Sequence, residues 1–329
     1  MSESVAVLGA GNMGTALAQV IASNGHPVRV WSIEHDVLEE VRDKHLNTRY
    51  LDDVRLNDSI APEWHLAAAV SGARLVVVSV PSQVVRAVAA DLAELVQPGQ
   101  LVLNVAKGLE AGSHRRMSEV IAGELRPDCK PFVGSMGGPA VAIEMARGQP
   151  VAVIIGFPGR DEALACQAFL QNKHLKVEAT QDITGLELCS MLKNVYAIAL
   201  GITDGLHLGT NGKAFLTTIA LDEMARIATN LGSQRETVYG LAGLGDLITT
   251  GFSAHSRNRT LGDRLGSRGD WQHFLRTNTV EGVSAVRSIS ELTAGRDDLP
   301  LLAMLHEVLF GERPAPEAMR HFLESFSYA

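Results

Sequence analysis

The chain has 329 residues, 46% of them hydrophobic and 20% charged, which is enough for two domains that each bury a core. Its formal net charge of −8 argues against nucleic acid or an anionic membrane as the main partner, so a small anionic ligand needs a basic site built locally. Cys129, Cys166 and Cys189 form no C-x-x-C pair, and the first strand leaves no room for a signal peptide. No apolar run approaches the roughly 20 residues of a membrane span, so a cytoplasmic protein without stable membrane insertion is expected.

The apolar run Ser4–Leu8 predicts a strand, and Gly9-Ala10-Gly11-Asn12-Met13-Gly14 follows it directly. Residues 15–24 then read as a helix ended by Gly25, and 27–31 as a second strand. In that βαβ context Gly9 permits a tight turn, Gly11 lets the backbone approach a pyrophosphate, and Gly14 lets the helix pack close to the strand. A glycine turn with no nucleotide is the alternative. Further runs, Leu75–Val80, Leu101–Val105 and Val151–Ile155, are apolar throughout, as in strands covered on both faces of a mostly parallel sheet. Pro81 and Lys107 fall at the C-terminal ends of two of these strands, where open α/β sheets bind ligands.

Beyond Asp182 strand patterns give way to helical periodicity, first over 183 to about 200 and then over 214–231, 283–294, 301–309 and 316–326. The expectation is an α/β, doubly wound Rossmann-type sheet domain over 1–182, followed by an all-α domain over 183–329. Several motifs fail on inspection. Gly134-Ser135-Met136-Gly137 lacks the first glycine of a nucleophile elbow, and Gly212-Lys213 lacks the first glycine and the hydroxyl residue of a P-loop. The 11 histidines show neither H-E-x-x-H nor zinc spacing, so no metal is expected.

Four polar positions remain open to two readings each. Lys193, followed by Asn194 in an apolar helix, is either a snorkelling surface lysine or an ammonium with work to do. Asp246 is an N-cap or an acidic partner; Arg257-Asn258-Arg259 is a solvated charge run or a clamp; Lys107 is a strand-end cation or a ligand group.

The run GAGNMGTALAQ is joined by Val80-Pro81-Ser82, KGLE at 107–110, LKNV at 192–195, GLAGLGDL at 240–247, SRNR at 256–259 and Val280-Glu281-Gly282. With these in order, the chain resembles the NAD(P)-dependent glycerol-3-phosphate dehydrogenases. The resemblance implies hydride transfer between NAD or NADP and glycerol 3-phosphate or dihydroxyacetone phosphate, supplying glycerol 3-phosphate for phospholipid synthesis. It implies Lys193 as the catalytic lysine and Asp246 as its acidic partner. Asn194, Thr250, Asn258 and Gly138 fall to the substrate, and Lys107 and Arg257 to substrate and cofactor, Arg257 clamping the phosphate. Gly9, Gly11, Asn12, Met13, Gly14, Ser32, Pro81, Ala142 and Glu281 fall to the cofactor. A small phosphorylated substrate and a homodimer are expected.

Two features depart from the family pattern. Met13 stands where an aromatic residue is usual, and Gly137-Gly138-Pro139-Ala140-Val141-Ala142 lacks the usual hydroxyls at 137 and 140 and the larger side chain at 141. A paralogue acting on another phosphorylated ketone or a hydroxyacid is therefore the second reading, and a non-catalytic dinucleotide sensor the third. An acidic residue commonly ends the second strand of NAD enzymes; here that residue is Ser32, with no Arg from 32 to 40, so both cofactors are expected to serve.

Overall fold

The structure, a computed structural model, describes residues 3–311 and 313–327. It divides into two compact units. The first runs to Glu110 and from Arg115 to Glu187; the second takes Ala111–His114 and the chain from Leu188 onward.

The first unit is built on eight strands, β1 (Ser4–Leu8), β2 (Val28–Trp31), β3 (Ile60–Glu63), β4 (Ala73–Val78), β5 (Leu101–Asn104), β6 (Val133–Gly137), β7 (Val151–Gly156) and β8 (Leu175–Thr180). Between them run α1 (Asn12–Ser23), α2 (His35–Lys44), α3 (Leu66–Val70), α4 (Val85–Leu92), α5 (Met117–Glu124), α6 (Ala142–Ala146) and α7 (Arg160–Leu170). The strand order is β3-β2-β1-β4-β5-β6-β7-β8, parallel except where β7 runs antiparallel to β6. Both faces are covered. Val5 and Val7 pack with α1 and α2, while Ala6 and Leu8 pack with α3, α4 and α5, which is why the strand reads as unbroken apolar sequence.

Three strands escaped the sequence pattern for identifiable reasons. The edge strand β3 contains Pro62, which an edge tolerates because no ladder hydrogen bond is then lost. A Cβ on Gly134 of β6 would overlap the Gly156 carbonyl, so this strand is glycine where another would be β-branched. Strand β8 is the opposite edge and alternates buried with exposed residues over its first half. The helix after β1 also starts earlier than its apolar pattern, at Asn12, so the last three residues of the glycine motif lie within its first turn.

The second unit is helical: α8 (Ile183–Gly205), which begins in the first unit, then α9 (Gly209–Asn230), α10 (Arg235–Tyr239), a π-helical turn over Leu241–Gly245 and α11 (Asp246–Phe252). It continues through α12 (Arg257–Gly266), α13 (Trp271–Thr277), α14 (Glu281–Leu292), α15 (Pro300–Phe310) and α16 (Ala315–Ser325). Helix α8 corrects two expectations. It runs through Gly201 to Gly205, and its 23 residues are long and apolar enough to cross a membrane, yet that apolar window is wholly buried within the protein. It is a core helix.

Gly201 does not end α8 because it is a packing surface. A Cβ there would overlap the Arg259 carbonyl, and one on Gly205 the Asp263 carbonyl; reciprocally, one on Gly262 would overlap the Ile198 carbonyl. Glycines four residues apart on α8, and again at Gly262 and Gly266 on α12, thus let two helices meet backbone to backbone.

Candidate active site

In the sheet unit the chain leaves β1 toward β2 on one side, while β4 pairs on the other. Loops diverge at such a switch point and leave a crevice at the C-terminal strand ends. Gly9 has φ 108°, in the left-handed region, and a Cβ there would overlap the carbonyl oxygen of Ser79, just past β4. A Cβ on Gly14 would overlap the Gly9 carbonyl. Packing therefore demands two of the three glycines. It does not demand Gly11, around which a Cβ would meet nothing within 4 Å. Gly11 caps α1 with no side-chain hydrogen bond to the first turn, so the orphan N–H groups of that turn stand beside open space. A clearance that the fold itself does not require, at a helix N-terminus, fits a dinucleotide pyrophosphate.

The loop is held from below by Asn47, fully buried, whose Nδ2 donates to the Ala10 carbonyl at 2.8 Å and to Thr15 Oγ1 at 2.8 Å. Nothing in the sequence marked Asn47; a lone asparagine carries no spacing signal. Asn12 is exposed and Met13 half-buried beside the loop, and Pro81 is exposed at the start of a 3-10 turn over Ser82–Val84. Ser32 is buried, its Oγ accepting from Glu34 N at 3.1 Å, so it is turned to its own loop. Glu34 accepts from Tyr50 Oη at 2.9 Å and from Arg49 Nη1 at 3.0 Å, and Arg49 also pairs with Asp36. An arginine does reach this loop, from a stretch beyond α2 that lies outside residues 32–40.

Lys107 lies half-buried after β5, next to Gly108 with φ 113°. Gly138 turns the chain out of β6 with φ 99°, and Ala142 opens α6, which packs against α1. The serine of the rejected nucleophile motif, Ser135, is fully buried in β6 and donates to Glu187 Oε1 at 2.7 Å.

In the helical unit Lys193 is 5% exposed and Asp246 1%, and Lys193 Nζ is ion-paired and hydrogen-bonded to Asp246 Oδ1. This removes the snorkelling reading of Lys193. It also removes the N-cap reading of Asp246, which is the first residue of α11 behind an N-cap at Gly245. The glycine-rich run 240–247 forms the π-helical turn that delivers it, where a Cβ on Gly243 would overlap the Val238 carbonyl. Thr250 Oγ1 lies 3.5 Å from Asp246 Oδ1, one helical turn on.

Asn194 joins three helices. Its Oδ1 accepts from Asn258 Nδ2 of α12 at 2.9 Å, and its Nδ2 donates to Glu281 Oε2 of α14 at 3.0 Å. Asn258 Oδ1 in turn accepts from Gly282 N at 2.8 Å, where a Cβ on Gly282 would crowd Asn258 Oδ1 at 2.7 Å. The run 257–259 is therefore three different residues. Asn258 is buried in this network, and Arg259 Nε donates to Asp204 Oδ2 at 2.6 Å. Arg257 is exposed and makes no hydrogen bond or ion pair among the described residues. It is the first residue of α12, whose N-cap Ser256 accepts from Arg259 N at 3.2 Å. A free guanidinium at a helix N-terminus is a place for an anion. Asp204, which belongs to the run Gly201-Ile-Thr-Asp-Gly205 that also carries the family resemblance but was given no role there, holds Lys213 Nζ as well, at 2.8 Å.

The helical unit thus gathers Lys193, Asp246 and Thr250 about one carboxylate, and Asn194, Asn258 and Glu281 into one amide network. Among the described residues no group of three or more His, Cys, Asp or Glu side chains could hold a metal ion.

The comparisons with known proteins agree over nearly the full chain. Residues 4–163 match the family model for the N-terminus of NAD-dependent glycerol-3-phosphate dehydrogenase, and 182–320 match that for its C-terminus. A glycerol-3-phosphate dehydrogenase [NAD(P)+] of Chlorobium luteolum is 37% identical over 320 residues, 96% of each chain. One of Geobacillus kaustophilus is 38% identical over 321 residues, 96% of this chain and 93% of that one. The crystal structure of glycerol-3-phosphate dehydrogenase from Coxiella burnetii superposes with a TM-score of 0.89 at 33% identity, covering 98% of this chain and 99% of that one.

Proposed function

The chain belongs to the NAD-dependent glycerol-3-phosphate dehydrogenase family, and from that premise we propose that it interconverts dihydroxyacetone phosphate and glycerol 3-phosphate with NAD or NADP, feeding phospholipid synthesis. When bound, the dinucleotide supplies or takes up the hydride at the substrate's C2 carbon. The residues that would hold it are Gly9, Gly11 and Gly14 with the first-turn N–H groups of Asn12 and Met13, together with Pro81, Ser32, Ala142 and Lys107 of the sheet unit; Arg257 and Glu281 are the helical unit's candidates.

The observation that carries this reading is the buried Lys193–Asp246 pair, tied to Arg257 through their chain neighbours Asn194 and Asn258. Lys193 would donate a proton from its ammonium to the C2 oxygen in reduction and, as the neutral amine, take the hydroxyl proton in oxidation, while Asp246 holds its Nζ in place. Thr250 and Asn194 supply further polar contacts there. Arg257 and Asn258 would bind the phosphate, a group that does not react and serves as a handle, and Lys107 and Gly138 are the sheet unit's candidates for substrate contact. Cys129, Cys166 and Cys189 are all buried and none is in a disulfide among the described residues, which supports a reducing compartment such as the cytoplasm. The expected assembly is a homodimer, which sedimentation velocity decides.

Arg257→Ala tests the assignment. A hydrogen bond to a charged group contributes about 1.5–3 kcal/mol, so kcat/KM on dihydroxyacetone phosphate should fall roughly 10- to 150-fold. Arg257→Lys should recover only part, because an ammonium lacks the guanidinium fork. On a truncated ketone without phosphate the alanine variant should match the wild type. Equal impairment on both ketones would assign Arg257 to the fold or the cofactor instead. A preference for some other phosphorylated ketone would favour the paralogue reading, which rests on Gly137, Ala140 and Val141.

A further inference from the structure

In the sheet unit a buried carboxylate lies outside every role given above. Glu187 is 6% exposed, and its oxygens accept from Ser118 N at 2.9 Å, Ser118 Oγ at 2.6 Å, Ser135 Oγ at 2.7 Å, Arg116 Nη1 at 3.1 Å and Asn104 Nδ2 at 3.3 Å. An ionised carboxylate has about four lone-pair sites, so this one is saturated. Burial of a charge demands such partners, but it does not demand that one of them be Asn104.

Asn104 is the last residue of β5 and 1% exposed. Its side-chain amide clasps one residue of the outgoing loop in both directions: Nδ2 donates to the Ala106 carbonyl at 3.0 Å, and Oδ1 accepts from Ala106 N at 3.0 Å. Lys107 is next in the chain. The clasp works only one way round, since a flipped amide would set donor against donor and acceptor against acceptor. Glu187 draws Nδ2 toward itself, directly and beside Ser135 Oγ, to which Nδ2 also donates at 3.3 Å, and so reinforces the orientation that leaves Oδ1 for the Ala106 N–H. We propose that Glu187 is a positioning residue that fixes the orientation of the Asn104 amide and thereby holds the loop bearing Lys107. The consequence for catalysis rests on the reading of Lys107 given under the proposed function.

Glu187→Gln keeps the size but replaces an acceptor with an amide that also donates. The backbone effect is read by hydrogen exchange: the Ala106 amide should exchange at least about tenfold faster, while amides of β1 and β4 keep their protection. The kinetic effect should be a fall in kcat/KM of about tenfold to a hundredfold, the scale of a displaced group. Because it acts through Lys107, Glu187→Gln should cost less than about twofold when added to Lys107→Ala. Glu187→Asp keeps a carboxylate and should recover part of the loss. Asn104→Ala cuts the same path while leaving the other bonds of Glu187, and so carries the exchange and coupling measurements if Glu187→Gln does not fold.

Unchanged Ala106 exchange in a folded variant would overturn the proposal, as would full additivity with Lys107→Ala. If Ala106 exchange rises while Lys107→Ala is as active as wild type, the positioning stands and the role of Lys107 falls.

Discussion

On the proposed reading, the sheet unit would offer a ligand backbone N–H groups cleared of side chains around Gly11, whereas the helical unit would offer side chains fixed by other side chains: Lys193 by Asp246, and Asn194 by Asn258 and Glu281. Glycine serves both, differently. At Gly9 and Gly14 it lets a loop fold on itself beneath a helix N-terminus; at Gly201, Gly205 and Gly262 it brings two helices close enough for polar side chains to pair across them. A pyrophosphate is the same in every dinucleotide enzyme and is met by generic backbone. A reacting oxygen must be met by one particular ammonium, and holding that ammonium takes a network.

The difference breaks first at Lys193. Lys193→Ala should lower kcat by about 10²- to 10⁴-fold, the range for a lost general acid, while the dissociation constant for NADH, read by fluorescence titration, stays within about twofold. If turnover survives, the ammonium is structural. If NADH binding falls in step with kcat, the two units do not divide the work in this way.

Next in size is Glu223, a buried carboxylate of the helical unit that accepts from Tyr196 Oη at 2.8 Å and from Leu301 N and Leu302 N at the start of α15, at 2.6 and 2.9 Å. Burial pushes its pKa from the ordinary 4.5 up to about 7, outweighing the opposing pull of these bonds. An acid held more weakly ionised in the folded state stabilises it fully below the unfolded pKa and loses that contribution as pH rises through the folded one. The window is therefore about pH 4.5 to 7, and a shift of that size corresponds to roughly 3 kcal/mol at most. Urea unfolding at pH 5 and pH 8 should show the wild type losing stability toward pH 8, and Glu223→Gln removing most of that difference. The same slope in both would clear Glu223.

How much of this was legible in the sequence follows the same division. The glycine fingerprint is contiguous because a single loop makes the turn into α1, and β1, β4, β5 and β7 announced themselves because each is apolar on both faces. The helical unit's site has no contiguous signature: Lys193, Asp246 and Arg257 come from three helices, and periodicity alone left each of them open to an ordinary surface or capping role. Only the resemblance singled them out. Asn47, Glu187 and Glu223 went unmarked because each acts through a partner distant in sequence, and Arg49 because the chain returns to Glu34 only after α2. Helices α10 to α13 were missed because they are short, and because Gly245, Gly262 and Gly266, which read as breaks, are where helices begin or pack.

The two uses of glycine separate in a pair of alanine substitutions. Gly201→Ala pushes a methyl group into the Arg259 carbonyl and should destabilise the protein by about 1–3 kcal/mol, the cost of overpacking, whatever ligand is present. Gly11→Ala meets nothing and sits at an ordinary φ of −72°, so stability should change by less than about 0.5 kcal/mol while NADH affinity falls. Denaturant midpoints with and without NADH distinguish them. A stability loss at Gly11 equal to that at Gly201 would mean that the fold, not the ligand, needs the clearance.

The smallest effect is expected at the loop after β2, where the sheet unit departs from its backbone-only habit. A 2′-phosphate of NADP bound at this loop would be opposed by Glu34 and attracted by Arg49, but Arg49 is already engaged by Glu34 and Asp36. Ion pairs this exposed are held weakly in water, so the guanidinium can turn to a phosphate at little cost while Glu34 stays nearby, and the two influences nearly cancel. That is the physical basis for expecting both cofactors to serve without strong discrimination. Glu34→Gln should tilt the balance, improving NADPH affinity relative to NADH by about fivefold, and Arg49→Ala should move the ratio the other way. Both shifts should shrink as salt is raised from 0.05 to about 0.5 M, since these charges are screened. A wild-type preference beyond about a thousandfold would defeat the cancellation argument, and a ratio unmoved by either substitution would show that the 2′ position lies elsewhere. A ratio that shifts equally at low and high salt would point to shape rather than charge, and would return the discrimination to the backbone logic of the rest of the unit.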